Sequence, residues 1–208
     1  VPMKPVQTGG LRRGGRWIAP DLERCLRAAR ITPSPKEREW MAPYIYRPAC
    51  SPHLAAQQAQ RPIRLDHIER CFRSLAQRHE MVIVEGAGGV LVPLGRRHTM
   101  LDLMVRLDLP VVLVARPGLG TINHTLLSLR ALRGANLTLR GIVLVHSQPG
   151  RIGRIERDNA RTLERLGGVP ILARLRYAGQ AGALEPAAAR RGVAWAVKAT
   201  SKKPAARR

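Results

Sequence analysis

Short β-branched runs alternate with stretches whose apolar residues recur at helical spacing. Val1 to Val6 reads as the end of a short strand, and residues 10–20, rich in glycine and arginine, read as a loop. Leu22, Cys25, Leu26 and Ala29 share one face of a predicted helix Leu22–Arg30, with Asp21 as its cap. The proline-rich stretch 31–50 predicts irregular chain, and Ser51-Pro52 predicts the start of a short helix. Leu65, Ile68, Cys71, Phe72 and Leu75 predict a stronger helix over Arg64–Arg78. Buried strands are expected at Met81–Glu85 and Pro110–Ala115, with a helix Thr99–Leu107 between them. A turn at Pro117–Gly120, a helix Ile122–Arg133 capped by Thr121, a strand Leu139–His146, a helix Gly153–Leu166 and a strand Val169–Leu175 complete the pattern. Alternating strands and helices predict an α/β fold: a parallel sheet with helices on both faces. The expected organisation is one domain over residues 1–195 and a basic, disordered tail over 196–208.

Composition narrows the class. With 208 residues the chain suits one domain with a real core, built from aliphatic residues because aromatics make up only 3%. No apolar run approaches the roughly 20 residues of a membrane helix, so no membrane partner is expected. Cys25, Cys50 and Cys71 form no Cys-x-x-Cys pair, so neither a disulfide framework nor a zinc site is suggested, and a reducing cytoplasm fits. The formal charge of +22 invites a nucleic-acid reading. Arginines are spread along the whole chain, however, and stacking aromatics are nearly absent, so a solvated surface without specific nucleic-acid binding is the better account. A basic nucleic-acid-binding protein is the weaker alternative.

Candidate chemistry gathers where strands end. Val82-Ile83-Val84 runs into Glu85, followed by Gly86, Ala87, Gly88 and Gly89. Such small residues let backbone approach a ligand, and open α/β sheets bind ligands past the carboxyl ends of their strands. A carboxylate there suits a metal ion that bridges to phosphate. Lys4, in a chain that otherwise favours arginine, offers a compact positive charge for a phosphoryl group in flight. Asp21 is a helix cap by default, and with Glu85 it would supply two carboxylates to Mg²⁺. Gly118-Leu119-Gly120-Thr121-Ile122-Asn123-His124 places backbone N–H groups at a helix start, where carboxylate or phosphate binds.

These motifs resemble those of the dethiobiotin synthetase family. The matching pieces are Lys-Pro-Val-Gln-Thr-Gly at 4–9, Ser-Pro-His at 51–53, Val-Glu-Gly-Ala-Gly-Gly-Val-Leu-Val-Pro-Leu at 84–94 and Gly-Leu-Gly-Thr-Ile-Asn-His at 118–124. They stand in the family's order over roughly residues 4–175. The resemblance implies a P-loop NTPase-like fold and an ATP- and Mg²⁺-dependent closure of 7,8-diaminononanoate with CO₂ to dethiobiotin, in a cytoplasmic homodimer. It implies a catalytic role for Lys4, a substrate contact at Thr8, metal ligation by Asp21 and Glu85, and a nucleotide site at Glu85, Gly86, Ala87 and Gly88. It also implies that Gly118, Gly120, Thr121 and Asn123 receive the substrate carboxylate. A P-loop amidoligase or partitioning ATPase fits less well, given Lys4–Gly9 and Ser51–His53.

Two departures set further expectations. The family's P-loop, Gly-x-x-x-x-x-Gly-Lys-Thr, precedes its Lys-Pro-Val segment, whereas here that segment begins at residue 4 and no Gly-Lys-Thr or Gly-Lys-Ser occurs. The expectation is a chain without the first strand and P-loop, read from a longer frame and inactive as written, or a catalytically dead binding or regulatory relative. The family's adenine-side residues are replaced by Val145-His146 and by Ala173-Arg174-Leu175-Arg176.

Overall fold

A computed structural model describes residues 1–150 and 152–177. The basic tail and the last part of the expected domain lie outside the described residues. The chain divides into two compact units, Val1–Asp108 and the part from Leu109 onward.

The first unit opens with β1 (Pro2–Met3), β2 (Val6–Gln7), the hairpin β3 (Leu11–Arg13) and β4 (Arg16–Ile18), then α1 (Pro20–Ala29). It continues through α2 (Pro35–Met41), β5 (Tyr44–Ile45), α3 (Pro52–Gln58), α4 (Leu65–Ala76), β6 (Ile83–Val84) and α5 (Met100–Leu107). β1 pairs parallel with β6, and β2 parallel with β5. Proline limits these pairings. Pro5 separates β1 from β2 and Pro43 precedes β5, and neither residue has an N–H for a ladder. Met41 O accepts the Lys4 N–H at 2.7 Å, tying the end of β1 to the end of α2. Leu22 and Leu26 of α1, and Leu65, Ile68, Cys71 and Leu75 of α4, enter one core with Met3, Val6 and Met41, and Phe72 packs against it; of the predicted α1 stripe, Cys25 is half-buried and Ala29 is exposed.

The second unit contains β7 (Val111–Ala115), α6 (Thr121–Gly134), β8 (Leu139–Val145), α7 (Arg154–Gly167) and β9 (Ile171–Leu175). Its strands are parallel in the order β7-β8-β9, so each helix closes a β-α-β crossover. Leu129, Ile142, Leu144, Ala160 and Leu163 form its core. Gly141 has φ +152, and a Cβ there would lie 2.6 Å from the carbonyl oxygen of Pro170, so β8 and β9 approach this closely only because the residue is glycine.

Several expectations change. The expected sheet is divided: parallel pairing occurs in three separate sheets, and the antiparallel hairpin β3–β4 forms a fourth among the described residues. The hairpin occupies the predicted loop at 10–20, turning on Gly14 and Gly15, both at positive φ. The stretch 31–50 holds α2, started by Ser34 and Glu37 in a reciprocal capping box. The caps shift: Ala19 precedes α1 and puts Asp21 inside its first turn, and Gly120 precedes α6 and makes Thr121 its first residue. The strands expected to be buried are partly wet, with Ile83 58% and Val114 62% exposed.

Candidate functional site

A cleft of about 290 Å³ in the first unit is lined by Lys4, Gln7, Thr8, Asp21, Ser51 and Gly88, among others. That is near the lower end for small-molecule sites. Its walls are strand ends and helix starts. Lys4 follows β1, Gln7 ends β2 and Thr8 follows it, Asp21 lies in the first turn of α1, and Ser51 precedes α3.

The glycine loop is held at both ends. Glu85 donates its N–H to Met3 O at 2.8 Å, continuing the β1–β6 ladder. At the far end His53 donates its N–H to Pro93 O at 3.2 Å, which ties the Ser-Pro-His segment to the Val-Pro-Leu segment. Gly88 has φ +78, and a Cβ there would meet Val92 Cγ2 at 2.8 Å, so both the turn and the packing demand glycine.

Lys4 is 7% exposed and lies among oxygens. Its Nζ donates to Glu85 Oε1 at 2.8 Å and to the Gly86 carbonyl at 3.1 Å, and Asp21 Oδ2 is 3.2 Å away. A buried ammonium needs such partners to offset lost hydration. The three sequence candidates Lys4, Asp21 and Glu85 therefore do meet, at one point. One lysine against two carboxylates leaves a net negative charge, reduced among the described residues by the largely exposed Arg24, 4.0 Å from Asp21 Oδ1. The lysine already shows that these oxygens accept a cation. Hard divalent ions take the same donor type, so the set fits one.

Thr8 and Gly88 line this cleft, as does Ala87, which is buried. Gln7, which sequence reasoning passed over, is buried and hydrogen-bonded to Asp21; its place inside the Lys-Pro-Val-Gln-Thr-Gly motif was the available signal. Cys25, half-buried on α1, feels the charges of this cluster. Burial pushes its thiol up, the carboxylates of Glu85 and Asp21 push it further, and Lys4 opposes them.

Gly118, Gly120, Thr121 and Asn123 lie in the second unit. Gly120 sits at φ +86 ahead of α6, and Asn123 is exposed. The Thr121 hydroxyl is buried against Thr125 Oγ1 at 3.2 Å. The buried Asn159 of α7 donates to Pro117 O at 2.8 Å and fixes the preceding turn. His146 extends β8 by donating its N–H to Leu175 O at 2.9 Å.

The first unit thus brings a strand-end lysine, two carboxylates and a glycine loop together beside one cleft. Residues 2–183 match the family described as an AAA domain, in keeping with a P-loop NTPase-like fold. The chain is 35% identical over 170 residues to the ATP-dependent dethiobiotin synthetase of Anoxybacillus flavithermus, covering 81% of this chain and 74% of that protein. It is 42% identical over 150 residues to the enzyme of the same name from Anaeromyxobacter dehalogenans, covering 72% and 64%. A third relative of that name, from Halalkalibacterium halodurans, is 35% identical over 177 residues, covering 85% and 71%. The chain belongs to the dethiobiotin synthetase family. It spans less than two thirds of the length of the Anaeromyxobacter dehalogenans protein and of several further relatives of that name. A solved ParA family ATPase from Chlorobium tepidum aligns with a TM-score of 0.45 at 14% identity, over 85% of this chain and 63% of that one. Among the described residues no helix is long and apolar enough to cross a membrane.

Proposed function

We propose that this fold serves the ATP-dependent conversion of 7,8-diaminononanoate and CO₂ to dethiobiotin, and that residues 1–208 alone do not complete it. The meeting of Lys4, Asp21 and Glu85 at the cleft carries the first half of the reading. One amine of the diamine captures CO₂ as a carbamate. A carbamate oxygen attacks the γ-phosphorus of ATP and ADP leaves. The second amine then attacks the carbonyl carbon, the ureido ring closes, and phosphate leaves. Asp21 and Glu85 would hold Mg²⁺, which supplies charge neutralisation at the phosphate oxygens. Lys4 is positioned to stabilise the transferring phosphoryl group, Thr8 to contact substrate, and Glu85–Gly88 to line the nucleotide. The α6 start at Gly118–Asn123 would receive the substrate carboxylate in a homodimer. We place 1–195 in one α/β domain, in the cytoplasm, where the free Cys25, Cys50 and Cys71 stay reduced.

The second half rests on the sequence, in which no Gly-Lys-Thr or Gly-Lys-Ser occurs. Without a P-loop a nucleotide loses its backbone N–H cradle, a lysine and a hydroxyl on the metal. The test incubates purified residues 1–208 with diamine, bicarbonate, Mg²⁺ and ATP. No dethiobiotin is expected, and turnover would overturn the inactivity. A version preceded by the strand, P-loop and helix of a relative should turn over. If that version folds, binds the diamine and still makes no dethiobiotin, the catalytically dead binding protein becomes the better reading.

A further inference from the structure

Gln7 is 5% exposed, and its amide is spent almost entirely on one neighbour. Oε1 accepts the Asp21 N–H at 3.2 Å, while Nε2 donates to Asp21 Oδ2 at 3.2 Å and to the Thr8 carbonyl at 2.7 Å. The network fixes which end is which. Reversing the amide would set N–H₂ against an N–H and the amide oxygen against both a carboxylate and a carbonyl.

Two consequences meet at Asp21. Ala19, the residue before α1, has no side chain able to cap the helix, so Gln7 satisfies a first-turn N–H from outside. The same amide holds the carboxylate through Oδ2, the oxygen that also faces Lys4 at 3.2 Å. Among the described residues Oδ1 is left with only Arg24, at 4.0 Å. Asp21 thus has one clamped oxygen and one free to take a ligand.

We infer that Gln7 is a positioning residue that orients the Asp21 carboxylate toward a divalent cation. The inference rests on the metal role of Asp21 proposed above. Hydrogen-bond partners that orient a metal-ligating carboxylate typically account for 10- to 100-fold in affinity. A cap alone would affect the stability of α1 and leave the cation unaffected.

The test is a double-mutant cycle on the full chain, with Mn²⁺ as probe, read by water-proton relaxation and by thermal unfolding. Gln7→Met should weaken Mn²⁺ about 10-fold. In an Asp21→Asn background the same change should do nothing further to Mn²⁺. Wild-type affinity in Gln7→Met, or an equal loss in both backgrounds, overturns the positioning role and leaves the metal site standing. Unchanged Mn²⁺ binding in both Asp21→Asn and Glu85→Gln removes the metal site, and the inference with it. If Gln7→Met does not fold, Gln7→Asn, which keeps the amide but is too short to span Asp21 and Thr8, takes its place with the same expected loss and the same overturning results.

Discussion

Lys4 Nζ and Glu85 Oε1 lie 2.8 Å apart across 81 positions of sequence. A lysine suited to a phosphoryl group is engaged by the carboxylates suited to the metal. Lys4→Met should therefore tighten Mn²⁺ binding by the nucleotide-free chain, since it removes a competing charge. The ammonium carries one charge and the ion two, so at about 4 Å in a water-like medium their repulsion is about 2 kcal/mol, or roughly 30-fold. Water-proton relaxation reads the change, and weaker binding would show that a divalent ion does not enter between these carboxylates.

The Cys25 thiol reports on the same charges. Burial raises it first, then Glu85 and Asp21, with Lys4 opposing. Glu85→Gln should move the pH midpoint of Cys25 alkylation down, and Lys4→Met should move it up. Iodoacetamide labelling followed by peptide mass spectrometry separates Cys25 from Cys50 and Cys71. Identical midpoints in all three proteins would place Cys25 out of reach of the cluster.

Tyr46 is buried, donates its hydroxyl to Arg61 O at 2.7 Å, and has a phenol pushed up to about 12 by that burial. Its folded value exceeds the unfolded value of about 10. The folded state holds the proton more tightly, so this contribution is complete below about pH 10 and is lost as pH rises to about 12. Tyr46→Phe should lower stability by about 1 kcal/mol at neutral pH and flatten the alkaline decline. Urea unfolding at stepped pH measures both, and an equally steep decline in the variant would assign it to another group.

Asn159→Ala removes the side-chain donor to the buried Pro117 carbonyl. An unsatisfied buried acceptor costs about 1–3 kcal/mol. Amide hydrogen exchange at Leu119–Thr121 should speed up, while β8 stays protected. Unchanged exchange there would show that the turn holds without this clamp.

Much of the scaffold was legible because its apolar spacing is strong. Leu65, Ile68, Cys71 and Leu75 repeat at helical intervals and are all buried in α4. What was missed has local causes. Proline density in 31–50 concealed α2, although Ser34 and Glu37 stand at capping-box spacing. Gly14-Gly15 between basic residues read as a loop, yet two glycines at positive φ are what a two-residue hairpin turn requires. The continuous apolar run at Val111–Val114 predicted burial on both faces, but in β7 the exposed residues alternate. At the site, residue type and motif order identified Lys4, Asp21 and Glu85. The motif flagged Gln7 but not its contact with the Asp21 N–H, which depends on where α1 starts, two residues earlier than the pattern suggested.

The oxygen nest around Lys4 makes cation entry an exchange of counter-ions. A metal ion that took up Asp21 and Glu85 would displace the Lys4 ammonium, and that ammonium would then need an anion of its own. A bare ion brings none. A metal–phosphate complex would bring both partners at once, so under the proposed metal role the resting ion pair would favour metal delivered together with phosphate over metal alone.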